Sequence, residues 1–120
     1  MSMELTNEQI AEAFSRHDFE ASYPYLADDV RWNILGERLV EGKENVITVC
    51  RESAAYLTGV TTDFGKFRSV ITDDCVVIDS VAEYTDKEEK RSHVASCDLY
   101  DFANGEVSEI TSYTVEVGAH

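Results

Sequence analysis

Residues 92–117 read Ser-His-Val-Ala-Ser-Cys-Asp-Leu-Tyr-Asp-Phe-Ala-Asn-Gly-Glu-Val-Ser-Glu-Ile-Thr-Ser-Tyr-Thr-Val-Glu-Val, two strand-like runs joined by Asn104-Gly105. An Asn-Gly pair supplies the two left-handed conformations of a tight hairpin turn, so it predicts antiparallel strands over 90–102 and 106–117. Side chains alternate between the faces of a strand. In the first run Ser92, Val94, Ser96, Asp98, Tyr100 and Phe102 fall on one face, and His93, Ala95, Cys97, Leu99 and Asp101 on the other. In the second, Val107, Thr111, Tyr113, Val115 and Val117 are expected to share one face, and Ile110, Ser112 and Thr114 the other. Neither face is purely polar, so each needs a partner.

Two further strands are predicted upstream, over 61–72 and 75–84, bounded by Asp73-Asp74 and by the turn at 86–89. Before them the pattern turns helical. Thr6 and Gln9 stand in capping-box spacing, and Leu5 and Ile10 form a hydrophobic staple, which predicts a helix over 7–16. Its apolar stripe is Ile10, Ala13, Phe14 and His17, with His17 at the helix end, where its cationic form suits the dipole. Asp18 is positioned to cap a short second helix through residue 26, which Pro24 kinks or shortens. A strand over 30–34 places Val30, Trp32 and Ile34 on one face; a short strand over 38–40 follows. A third helix over 44–57 carries Val46, Val49, Cys50, Ser53, Tyr56 and Leu57, with Gly59 placed to end it. The sum is one α+β domain over 1–120, its helices laid on one face of a curved antiparallel sheet. The convex face is expected to meet a second copy, making a homodimer.

Charge and composition narrow the function. Ten basic against 24 acidic residues give a net charge of −14, a field that repels nucleic acid and anionic membrane surfaces. The longest uncharged stretch, residues 53–62, is too short to span a bilayer, which takes about 20 apolar residues. The Met1-Ser2-Met3-Glu4 start has neither a basic nor an apolar export region, which predicts a cytoplasmic protein. Cys50, Cys75 and Cys97 are odd in number, without metal-ligand spacing, and read as reduced thiols. Nucleophile motifs, phosphate-cradling glycine loops and the HExxH spacing do not occur, so neither a metal nor a cofactor is expected.

One carboxylate stands out. If the even positions face inward, Asp98 projects among Phe14, Trp32, Ile34, Tyr56, Ser80, Tyr84, Ser96, Tyr100, Ile110 and Ser112. A carboxyl desolvated among aromatics has a raised pKa, which suits a general acid or a neutral hydrogen-bond donor near neutrality. The other placement is a sheet margin, with Asp98 hydrated or bonded to Ser96, Ser112 or a helix N-terminus. His93 falls on the face opposite Asp98.

Asp18-Phe19 after helix one, Leu26-Ala27-Asp28-Asp29-Val30-Arg31-Trp32, the Gly42 turn, Asp98-Leu99-Tyr100-Asp101-Phe102 and Asn104-Gly105-Glu106-Val107 resemble the nuclear transport factor 2-like superfamily, which includes SnoaL-like polyketide cyclases and ketosteroid isomerases. The resemblance runs from about Ile10 to Glu116. It implies a cone-shaped cystatin-like roll, a hydrophobic pocket between helices and sheet, and frequent dimerisation. It also places Asp98 where the isomerases keep a protonated aspartic acid in their oxyanion hole. The isomerase tyrosine falls near Ile10 and its general base near Asn33 or Ile34, so neither group is present. The Asp-Arg-Asp set of limonene epoxide hydrolases falls on Ser80, Ala82 and Ser112. A SnoaL-like cyclase can work with one aspartate as acid and base. The expected function is therefore a cofactor-free cyclase- or isomerase-type enzyme acting on a small apolar or carbonyl-containing ligand through Asp98. The alternative is a non-catalytic dimeric ligand-binding or scaffold module of the same fold.

Overall fold

A computed structural model describes residues 4–118, so the Met1-Ser2-Met3 start lies outside the described residues. Helix α1 (Asn7–Ser15) begins as its sequence dictates: the Thr6 hydroxyl accepts from the Gln9 amide, and the Gln9 side chain accepts from the Thr6 amide. Helix α2 (Phe19–Ser22) gives way to a 3₁₀ turn (Tyr23–Tyr25) that holds Pro24, so the proline shortens the helix as expected. Asp18 occupies the cap position of α2 but makes no side-chain cap bond. Strands β1 (Leu26–Ile34) and β2 (Arg38–Glu41) lead to α3 (Lys43–Leu57). Strands β3 (Thr61–Ile71), β4 (Cys75–Thr85), β5 (Arg91–Ala103) and β6 (Glu106–Val117) complete the chain.

The strands lie in the order β2-β1-β6-β5-β4-β3. The antiparallel meander expected from the sequence holds from β3 to β6, but β1 pairs with β6 in parallel. That pairing joins segments on either side of α3 and four strands, a relation no local pattern encodes. At the β5–β6 turn Asn104 and Gly105 both have positive φ, 56° and 79°, the conformation the Asn-Gly pair predicts. Gly59 follows α3 without adopting a left-handed conformation; Thr58 closes the helix by bonding Ala54.

Two register shifts correct the expected faces. Phe102 pairs with Val107 whereas Asp101 pairs with Glu109, so Ser108 is the extra residue of a bulge. Val107 thereby leaves the outer row assigned by alternation and is fully buried beside Phe102 and Ile110. A second bulge at Gly65 sets both Phe64 and Phe67 on the inner face, opposite Ala82 and Ser80.

The core lies between the helices and the concave face, where Ile10, Leu26, Val30, Val46, Cys50, Val76, Ile78, Tyr100, Val107 and Ile110 are all below 2% exposed. Phe14 is its hub, meeting Phe19, Trp32 and Tyr100 edge-on at 5.0, 5.1 and 5.8 Å. The convex face keeps apolar side chains in solvent, among them Val70, Tyr113 and Val115. Among the described residues no helix is long and apolar enough to cross a membrane.

Candidate functional site

Only the first half of α3 is anchored in the core, through Val46, Val49 and Cys50. Its second half, with Ser53, Tyr56 and Leu57, passes over the space between α1 and the curved sheet. There a cavity of about 600 Å³ opens, within the range of small-molecule sites. One wall is aromatic, from Phe14 and Phe19 of the helices and Trp32 of β1; the sheet also carries hydroxyls from Ser80, Ser92, Ser96, Ser112 and Thr114 around Asp98. The hydroxyls form rows because their residues pair across strands, Ser80 with Ser96, Ser96 with Thr114, and Asp98 with Ser112. Exposed Glu37, Arg38, Glu52 and Tyr56 mark the mouth.

Asp98 sits in a hydrogen-bonded chain that reaches into the core. Ser15 donates its one proton to Asp98 Oδ2 at 2.9 Å, so the Tyr100 hydroxyl, 2.6 Å from Ser15 Oγ, donates to Ser15. From the other side the Trp32 indole donates to Ser112 Oγ at 2.9 Å, leaving the Ser112 proton for Asp98. Burial pushes the Asp98 carboxyl above its ordinary range, and the bonds from Ser112 and Ser15 partly oppose that shift. If Asp98 is protonated, Ser15 has lone pairs to accept from it, so the site accommodates both states.

The other sequence-predicted residues divide by depth. Phe14, Trp32, Ile34, Ser80, Tyr84, Ser96 and Ser112 line the same cavity as Asp98. Tyr100 and Ile110 do not line it: at 1% and 0% exposure they lie in the core cluster with Ile10 and Phe14 of α1. Tyr56 is 74% exposed at the mouth rather than inside, since its turn of α3 has passed the end of the core. His93 pairs with Glu83 at 2.9 Å on the convex side.

Sequence reasoning left out Ser15, Phe64 and the true place of His17. Ser15 follows the apolar stripe of α1 and bears no motif, and Phe64 reaches the cavity only through the Gly65 bulge. His17 is not a cation serving a helix dipole. Its ring packs beside Phe19, Phe64 and Tyr84 in the cavity wall, and burial lowers its pKa. Burial, followed by the charge of Asp98, raises that of Tyr84, which keeps its proton. Among the described residues no three His, Cys, Asp or Glu side chains gather as a metal ion would need.

The model of the SnoaL-like domain family matches residues 7–110. A solved NTF2-like protein of unknown function from Cytophaga hutchinsonii is 34% identical, with a TM-score of 0.82 over 95% of this chain and 100% of that one. The fold also recurs at low identity. An LEH-like epoxide hydrolase of M. tuberculosis is 18% identical, with a TM-score of 0.68 over 90% of this chain and 81% of that one. A protein provisionally described as a SnoaL-like polyketide cyclase, from Mesorhizobium loti, is 19% identical, with a TM-score of 0.62 over 87% and 92%. No curated protein matches the chain.

Proposed function

The chain belongs to the SnoaL-like domain family, and we propose that within it this protein is a cofactor-free enzyme of cyclase or isomerase type, moving a proton on an apolar carbonyl compound through Asp98. The observation that carries the reading is one carboxyl, raised by burial and held by two serines, on the wall of an aromatic cavity of about 600 Å³. Asp98 takes the proton from the carbon next to the carbonyl, leaving an enolate and a neutral acid, and returns it in the second step. A raised pKa makes the carboxylate a better base and brings its neutral form closer to working pH. The Tyr84 hydroxyl, kept protonated by its surroundings, is a donor for the enolate oxygen. Glu37 and Glu52 at the mouth and a net charge of −14 disfavour anionic ligands, so the compound is neutral.

Proton exchange at the α-carbon of 2-tetralone in D₂O, followed by NMR, tests this directly. Exchange above the uncatalysed background that drops by roughly 10²- to 10⁴-fold in Asp98→Asn is expected. No acceleration, or an Asp98→Asn rate equal to the wild type, would end the role of Asp98.

A second reading, the non-catalytic ligand-binding or scaffold module, draws support from the positions implied for isomerase-type partner groups, which fall near Ile10 and near Asn33 or Ile34. Ile10 is 1% exposed in the core and Ile34 lines the cavity, and neither carries a proton to exchange. Native mass spectrometry that finds a retained small molecule, together with no tetralone exchange, would favour this module. Either reading places a second copy on the convex face, where Val70, Tyr113 and Val115 are otherwise left in water.

A further inference from the structure

The end of α1 carries a side chain that its backbone does not require. The His17 amide bonds the Phe14 carbonyl at 3.1 Å and the Asp18 amide bonds that of Ala13 at 2.8 Å, the paired closure that sets the residue after the cap in a left-handed conformation. His17 occupies that position with φ 71°. Glycine adopts this conformation freely, whereas a Cβ strains it. The histidine therefore carries a local cost that its side chain must offset.

Packing alone does not account for an imidazole there. The ring lies 5.8 Å from Phe19, 5.9 Å from Phe64 and 6.1 Å from Tyr84, an apolar surround that a carbon ring would fill as well. Among the described residues no side chain hydrogen-bonds the ring nitrogens, and no buried side-chain nitrogen or oxygen lacks a partner. The nitrogens are thus accessible, and His17 lines the cavity. Burial keeps the ring neutral, so it offers one N–H donor and one bare acceptor nitrogen. Asp98 stands elsewhere on the same cavity, among Ser15, Ser112 and Trp32.

We propose that the His17 imidazole is a second polar anchor, binding an oxygen of the ligand that Asp98 does not touch, so that the compound taken up is an apolar skeleton bearing two separated oxygen functions. This rests on the cavity being the ligand site argued above, and it narrows the substrate from a carbonyl compound to one with a further hydroxyl or carbonyl group.

Naphthalene, 2-naphthol and naphthalene-2,6-diol share one skeleton and differ by one oxygen at each step. Titrated into the wild-type protein, the diol is expected to bind roughly threefold to tenfold more tightly than 2-naphthol, the size of one net hydrogen bond. His17→Phe keeps a ring but no nitrogen and should lose that diol preference, binding the diol no more tightly than 2-naphthol. His17→Asn, which suits the left-handed conformation but is too short to reach, should lose it too, covering the case in which the phenylalanine variant does not fold. In ¹⁵N-labelled wild type the His17 imidazole resonances should move with the diol. A diol preference retained in the folded variants, or imidazole resonances that stay in place, would overturn the proposal. Asp98→Leu, which removes both polar atoms, separates it from the wider reading: a 2-naphthol preference over naphthalene that survives this change sinks Asp98 as an anchor without touching His17. Failure of all three compounds to bind the wild type sinks both.

Discussion

Ser15→Ala is expected to destabilise the protein and to shift the titration of Asp98 upward, because one hydroxyl serves both neighbours. Ser15 Oγ lies 2.6 Å from the Tyr100 hydroxyl and 2.9 Å from Asp98 Oδ2, and Tyr100 is 1% exposed. Alanine removes the acceptor of a hydroxyl that solvent does not reach, a cost of about 1–3 kcal/mol. For a domain of this size about 2 kcal/mol lowers the melting temperature by roughly 6–12 °C. Tyr100→Phe removes the hydroxyl itself and orphans nothing, so it should cost only about 0.5–1.5 kcal/mol. The double variant should then be more stable than the sum of the singles predicts, by about 1 kcal/mol. Guanidinium unfolding of the four proteins measures this, with unchanged m-values as the check that only stability moved. Ser15 also donates to the ionised Asp98, so its loss raises the Asp98 pKa further, and the pH midpoint of tetralone exchange should move up. Strict additivity, or a Ser15→Ala protein as stable as the wild type, would refute the chain of bonds from Tyr100 to Asp98.

Asp98→Asn should be at least as stable as the wild type at pH 7. Because burial raises the folded pKa of Asp98, the folded state binds more protons than the unfolded one between about pH 4 and that raised value, so wild-type stability falls as pH rises through this window. Thermal melts at pH 4 and pH 7 check the sign, and an asparagine variant clearly weaker at pH 7 would contradict it. On the convex face, sedimentation equilibrium at micromolar concentration should give twice the 13.5 kDa chain mass, with Val115→Lys returning it to the single-chain value. A single-chain mass for the wild type would exclude the dimer. Cys50, buried and pushed up to about 12, should resist a thiol reagent at pH 8 until the chain unfolds, since about one in ten thousand such thiols is ionised there. Native-state labelling at Cys50, read by mass spectrometry, would show that the core under α3 opens.

Features that depend on near neighbours in the chain were legible before the fold was known. The Thr6–Gln9 box and the Asn104-Gly105 turn are local hydrogen-bond and backbone preferences, and both form as read. Alternation along residues 92–102 set Asp98 on the same face as Ser96 and Tyr100, and the pairing of Ser96 with Ser80 and of Asp98 with Ser112 follows from the hairpins around them. Features that depend on an extra residue or a distant partner became visible in the folded chain alone. One bulge at Ser108 carried Val107 inside, another at Gly65 brought Phe64 to the cavity, and the parallel seat of β1 beside β6 aimed Trp32 at Ser112. Depth was equally hidden: Tyr100 shares the face of Asp98 yet lies in the core, while Tyr56 shares the stripe of Val49 yet stands in solvent. A period of 2 or 3.6 tells which side a residue takes. How far the sheet curves and where a helix runs past the core are set by packing among segments far apart in the chain, and that is what makes His17, at the end of α1 as its sequence position implies, part of the cavity wall.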